Sequence, residues 1–252
     1  MRTESAFARA DEMMTAQDRY TIAGATLRTL AAAATFHGVG LHGGQSVTAH
    51  VMPAPAGQGI LFRRTDLAAG TGDIPARWDN VVDTRLCTRL GNASGASVGT
   101  VEHLMAALAG CGVTDALVLL DGPEVPIMDG SSAPFVQGML RAGIVDSGRP
   151  ARAIRILAPV SVEADGRSAS LAPAERFEMS FSIDFADPAI GAARKQLRLA
   201  GSAFVTISSD AVSEILKYSG AASTDPGITK TSRSASRFQY ISGSPTGHLL
   251  NR

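Results

Sequence analysis

Apolar and polar positions alternate along much of the chain as far as about residue 205, and the alternation predicts strands. Gln45–Met52, Q-S-V-T-A-H-V-M, alternates cleanly and is stopped by Pro53 and Pro55. Gly59–Thr65, Ile74–Asn80 and Thr84–Leu90 read as further short strands, the last containing Cys87. Ala116–Leu120 is apolar throughout, as a buried strand is. Ile154–Val162, Ser168–Leu171 and Phe177–Phe185 complete the strand set, with a hairpin turn at Ala164-Asp165-Gly166. Two segments instead carry helical spacing. In one, Val101, Leu104, Met105 and Leu108 follow Thr100, a good N-cap residue, and Gly110 and Gly112 stop the run. In the other, Phe135, Met139 and Leu140 follow Ser131 or Ser132, with Pro134 tolerated in the first turn. Strands, helices and then strands again predict α+β layers rather than a wound parallel sheet.

Composition narrows the classes. The chain has 252 residues, 45% hydrophobic and 18% charged, normal for a globular core. Lys+Arg and Asp+Glu both number 23, so the neutral chain lacks the basic footprint of a nucleic-acid or anionic-membrane binder. Two cysteines, Cys87 and Cys111, suit a reducing compartment better than a disulfide framework. No run approaches the ~18 apolar residues of a membrane helix. Residues 1–22 carry acids, lack the apolar stretch of a secretory signal and read as a mobile extension. Residues 23–146 form the first α+β unit, 147–150 (S-G-R-P) a linker, and 151–205 a partial second α+β unit. Residues 206–252 are serine-rich and aperiodic apart from a weak helical stretch at Val212–Tyr218, and read as a poorly ordered tail.

Candidate chemistry concentrates at Glu102 and His103, adjacent in the first turn of the first helix. A helix N-terminus favours an anionic glutamate. The histidine either binds a metal or satisfies a backbone carbonyl, and a capped core helix with an incidental polar pair is the simpler reading. Gly38, Gly40 and Gly43 spell G-x-G-x-x-G, but a strand rather than a helix follows, so a dinucleotide site is rejected in favour of a tight turn between strands. His37 and His42 sit in that turn. Arg63 and Arg64 read as a solvated edge, Cys87 as a small core residue. Asp121, Glu124 and Asp129 read as turn and cap residues before metal ligands.

Several of these segments together resemble one family, the zinc-dependent UDP-3-O-acyl-N-acetylglucosamine deacetylases of lipid A synthesis. The runs are G-V-G-L-H-G-G at 38–44, F-R-R-T-D-L at 62–67, D-T-R-L-C-T at 83–88, T-V-E-H-L-M-A-A-L-A-G at 100–110, P-E-V-P-I-M-D-G-S-S-A-P-F-V at 123–136, and F-S-I-D-F-A-D-P-A-I at 181–190. The resemblance implies two similar α+β domains, each a sheet packed on helices in the ribosomal S5-like deacetylase fold, with the active site between them. It implies a cytoplasmic amide hydrolase acting on a UDP-sugar lipid, with no stable membrane insertion. It makes His103 a zinc ligand and Glu102 the general base on metal-bound water, roles that suit a catalytic zinc. It matches Cys87 and His42 to residues near the site, and the terminal G-H-L-L-N makes His248 the general acid or electrostatic partner.

The sequence also departs from the family. A catalytic zinc needs about three protein ligands, and the family's His-Lys-x-x-Asp run is absent. The five histidines are His37, His42, His50, His103 and His248. The stretch from Phe204 to His248 is shorter than the family's. Two expectations therefore stand side by side. One is a deacetylase with an incomplete or divergent second domain. The other is an inactive, truncated or frameshifted remnant lacking two zinc ligands.

Overall fold

The computed structural model describes residues 19–154, 156–164, 166–174, 178–185, 191–198 and 237–239. The α+β architecture expected from the sequence is what these residues form. A five-stranded sheet is built from β2 (Ala34–Val39), β3 (Ser46–Pro53), β4 (Ile60–Arg64), β5 (Asp73–Pro75) and β9 (Ala116–Leu120), in the order β2-β3-β9-β4-β5. All its pairings are antiparallel except β4 with β9, which is parallel. The alternation in β3 faces Val47, Ala49 and Val51 inward, and Ala116, Val118 and Leu120 of β9 do the same beside it.

Two helices supply the other side of that core, α1 (Glu102–Cys111) and α2 (Ala133–Ala142). Leu104, Ala107 and Leu108 of α1 and Phe135, Val136 and Met139 of α2 join the sheet residues in one hydrophobic cluster. Gly112 ends α1 in the left-handed conformation (φ 70°), which glycine adopts without a Cβ clash. Three further sheets lie outside this layer. β6 (Val81–Asp83), β7 (Arg89–Gly91) and β8 (Ser97–Val98) form a small antiparallel sheet. β1 (Arg19–Leu30) pairs with β10 (Ile144–Ile154). The last sheet has the order β11-β12-β15-β13-β14, from β11 (Val160–Ala164), β12 (Arg167–Leu171), β13 (Glu178–Asp184), β14 (Ala192–Arg198) and β15 (Arg237–Gln239). Among the described residues no helix is long and apolar enough to cross a membrane.

Several expected boundaries move. The strand expected over Ile74–Asn80 ends at Pro75, and Trp78–Asn80 form a 3-10 turn. There the Asn80 side-chain amide donates to the Pro75 carbonyl (2.8 Å), a local bond that displaces the ladder. Of the strand expected over Thr84–Leu90 only the end, in β7, forms. Asp83 accepts from the Arg85 amide (3.1 Å) and its guanidinium, which curls residues 85–87, Cys87 included, into a bend. Residues 156–159 interrupt the strand expected over Ile154–Val162. Residues 147–150, expected as a linker, run inside β10, with Pro150 opposite Thr26 beside register irregularities. β1 already begins at Arg19, inside the expected extension. Leu140, one of the apolar positions of the second helical run, is exposed.

One contact inside the core is unusually close. Phe36 of β2 meets Phe135 edge-on, ring centroids 4.9 Å apart, and Gly138 of α2 lies against the same ring. A Cβ on residue 138 would come within 2.4 Å of Phe36 Cε1. Replacing a helical glycine by alanine ordinarily gains about 0.5–1 kcal/mol, whereas overpacking a core costs about 1–3 kcal/mol. The clash wins, because a buried ring cannot swing away. Gly138→Ala is therefore expected to lower the urea midpoint by an amount worth about 1–2 kcal/mol, and an unchanged or raised midpoint would contradict this packing.

Candidate functional site

The site begins where β8 hands over to α1. Gly99 exchanges backbone bonds with the 123–125 loop, its amide donating to the Pro123 carbonyl (2.9 Å) and its carbonyl accepting from Val125 (3.0 Å). The chain then turns sharply at Thr100, whose φ is +56°. A β-branched residue in that region is strained and persists only where its surroundings hold it. The expected N-cap role of Thr100 is therefore not taken. The residue preceding α1 is Val101, with no side-chain cap. The Thr100 hydroxyl instead donates to Glu124 Oε1 at 2.7 Å.

This turn delivers Glu102 and His103 into the first turn of α1. The Thr88 amide donates to Glu102 Oε1 (3.0 Å), while Oε2 is buried without a hydrogen-bond partner. Burial pushes the Glu102 carboxyl above the usual glutamate range. The amides of Glu102 and Thr88 and the charge of His42 oppose that rise without cancelling it, and Glu124 adds to it. His103 is on the buried face of α1, one and two turns before Ala107 and Cys111, and only 6% exposed. Its Nδ1 also lacks a partner. Burial lowers the imidazole pKa, against the Asp129 charge and a hydrogen bond with the Ser131 main chain, so the ring is neutral near pH 7. Two orphaned buried polar atoms thus lie on consecutive residues. Each costs about 1–3 kcal/mol, which an incidental polar pair on a core helix does not explain.

His42 arrives from the turn between β2 and β3. The turn is closed by the Gly40 amide on the Gln45 carbonyl (2.9 Å) and the Gly44 amide on the Gly40 carbonyl (3.0 Å). The glycine-rich stretch is the expected tight turn, and it cradles an anion of its own chain. The His42 and Gly43 amides both donate to the Glu124 carboxylate, at 3.0 and 2.9 Å. A Cβ on residue 40 would sit 2.5 Å from Glu124 Oε2, so only glycine fits there. Burial raises the Glu124 carboxyl, but the Thr100 hydroxyl and the two amides outweigh it and hold the group below the usual range.

Of the five site residues expected, then, Glu102 and His103 are adjacent on α1 and His42 is close enough for its charge to act on Glu102. Cys87 is half-buried, a free thiol directly before the Thr88 amide that holds Glu102. His248 lies outside the described residues. Asp129 does act in a turn, accepting from the Ser131 amide (2.8 Å), and Asp121 accepts from the Thr48 amide (2.7 Å). Glu124 is more than a turn residue, and sequence reasoning missed it. The clue was a carboxylate between Pro123 and Pro126 alongside a glycine turn with no anion of its own. Arg63 and Arg64, expected as a solvated edge, pair with Asp73 and Asp66. Among the described residues no three His, Cys, Asp or Glu side chains come together to hold a metal. The orphaned Nδ1 of His103 suits one coordination position, but the described donors do not complete the three that a catalytic zinc needs.

The family model of UDP-3-O-acyl N-acetylglycosamine deacetylase matches residues 27–212. Proteins named UDP-3-O-acyl-N-acetylglucosamine deacetylase are similar to this chain. The one from Citrifermentans bemidjiense is 45% identical over 178 residues, 71% of this chain and 58% of the relative. Those from Myxococcus xanthus and Idiomarina loihiensis are 52% and 50% identical over 163 residues, 65% of this chain and 51% and 53% of theirs. The chain therefore spans somewhat over half the length of these relatives. The matched region takes in both helices, the glycine turn and every segment that builds the Glu102–His103 site, and the chain belongs to the UDP-3-O-acyl N-acetylglycosamine deacetylase family.

Proposed function

We propose that this chain hydrolyses the 2-acetamido group of UDP-3-O-acyl-N-acetylglucosamine in the cytoplasmic synthesis of lipid A, with Glu102 as general base. The observation that carries the reading is the free, buried Oε2 of Glu102, on a carboxylate whose other oxygen is tethered to the Thr88 amide. One oxygen fixes the group's position and the other is left to accept a proton. A base with a raised pKa binds that proton more readily than an exposed glutamate does. Water adds to the acetamide carbon, its proton passes to Glu102, the C–N bond breaks, and the proton goes on to the departing amine. The products are acetate and the free amine.

The remaining roles rest on the burial of His103 and, for His42, Cys87 and His248, on the resemblance of their motif runs to the family's. Neutral His103, with its unpaired Nδ1, is assigned as one zinc ligand. His42 and Cys87 are assigned to the substrate side. His248 is assigned as general acid or electrostatic partner. Among the described residues the donors do not complete a zinc shell. That same observation favours a second reading, a non-catalytic remnant that keeps the fold and half of the site.

Two measurements separate these. Glu102→Gln is expected to lower the deacetylation rate by about 10²–10⁴-fold while leaving the bound zinc unchanged; an unaffected rate would remove Glu102 as the base. Metal analysis of the gently purified chain separates the two readings, because the deacetylase reading requires about one zinc per molecule, held through several ligands. A value under about 0.1 would establish the remnant reading, because a lone imidazole binds zinc weakly.

A further inference from the structure

Glu124 is a buried carboxylate whose hydrogen-bond donors among the described residues are a hydroxyl and two backbone amides, and it lies outside the chemistry assigned above. It is 6% exposed. Its donors are the Thr100 hydroxyl on Oε1 (2.7 Å), the His42 amide shared between Oε1 (3.0 Å) and Oε2 (3.2 Å), and the Gly43 amide on Oε2 (2.9 Å). These donors come from two segments far apart in sequence. One is the turn that carries His42, and the other is the strained residue two before Glu102. The backbone on either side of Glu124 is fixed independently, by the paired bonds of Gly99 with Pro123 and Val125. Gly40 lies so close to Oε2 that the turn sits directly on the carboxylate. A carboxylate on such a fixed frame can hold both segments at a set distance from each other.

We infer that Glu124 is a positioning residue, whose carboxylate locks the His42 turn and the Thr100 kink together and so fixes the turn that carries His42 against the start of α1. A glutamine cannot replace the glutamate here. Both oxygens accept, so an amide NH2 on either side would face a donor. The inference rests on the deacetylase reading only for its effect on rate, since the placement of His42 can be observed in the resting protein.

The test compares Glu124→Gln, Thr100→Val and Thr100→Ser with the wild-type chain by NMR of the histidine ring resonances and by kinetics. Thr100→Val removes one donor at nearly constant shape, and Thr100→Ser keeps it. The expected result is that His42 ring resonances shift in Glu124→Gln and Thr100→Val and return in Thr100→Ser. In the active protein kcat falls about 10²-fold in Glu124→Gln, the scale of a misplaced group, with KM changed less than about two-fold. Ile74→Val serves as a control for mere destabilisation, since it removes a buried methylene from β5, at the edge of the sheet opposite β2. His42 resonances that stay put in both Glu124→Gln and Thr100→Val, or move equally in Ile74→Val, overturn the inference. If Glu124→Gln fails to fold, Thr100→Val and Thr100→Ser decide the question. A wild-type chain that does not deacetylate removes the functional reading, while the resonance comparison still decides this one.

Discussion

Burying an anion without a countercharge is costly unless hydrogen-bond donors converge on it. At Glu124 they do, from a hydroxyl and two backbone amides. The requirement shapes everything around it. Residue 40 must be glycine to let the carboxylate in. Thr100 must leave the helical conformation so that its hydroxyl points at Glu124 rather than along α1. The 38–44 turn, the start of α1 and the 123–132 loop are separate in sequence, and this one carboxylate joins them.

The same economy is reversed at Glu102 and His103. His103 is buried and Glu102 half-buried, yet each keeps one buried polar atom without a partner. A fold selected only for stability would satisfy or remove them, as Asp115 illustrates. It is 1% exposed and accepts from the Gly57 and Gly59 amides, both at 2.8 Å, pinning the turn before β4. The contrast separates carboxylates that build the scaffold from one whose second oxygen is held in reserve. Burial sets the protonation of the pair too, keeping a neutral imidazole next to a carboxyl of raised pKa.

The sheet of β11 to β15 has a different character. Every residue of β11 is exposed, and Leu157, Val160 and Val162 present large apolar surface at 65%, 55% and 69% exposure. The β2–β5 and β9 sheet, by contrast, is sealed by α1 and α2. The local alternation that makes strands operates in both. Only the first sheet has apolar helix faces packed on it among the described residues, and only there does a buried polar site arise.

What the sequence determined by itself was the local menu and the chemistry. Period-two runs gave β3 and β13, a short continuous apolar run gave β9, helical spacing gave α1 and α2, and the order of elements gave the α+β class, because each depends on neighbours a few residues away. The motif runs identified the family and singled out Glu102 and His103. The sequence could not show that Thr84–Thr88 would bend rather than extend, since that depends on Asp83 capturing Arg85. Nor could it show that Thr100 abandons the cap, or that Glu124 is more than a loop acid. Those outcomes were decided by tertiary structure, for a physical reason. A hydrogen-bonding group spends its valence on whatever donor or acceptor the fold brings nearest, and for Glu124 those donors lie 24 and more than 80 residues away along the chain.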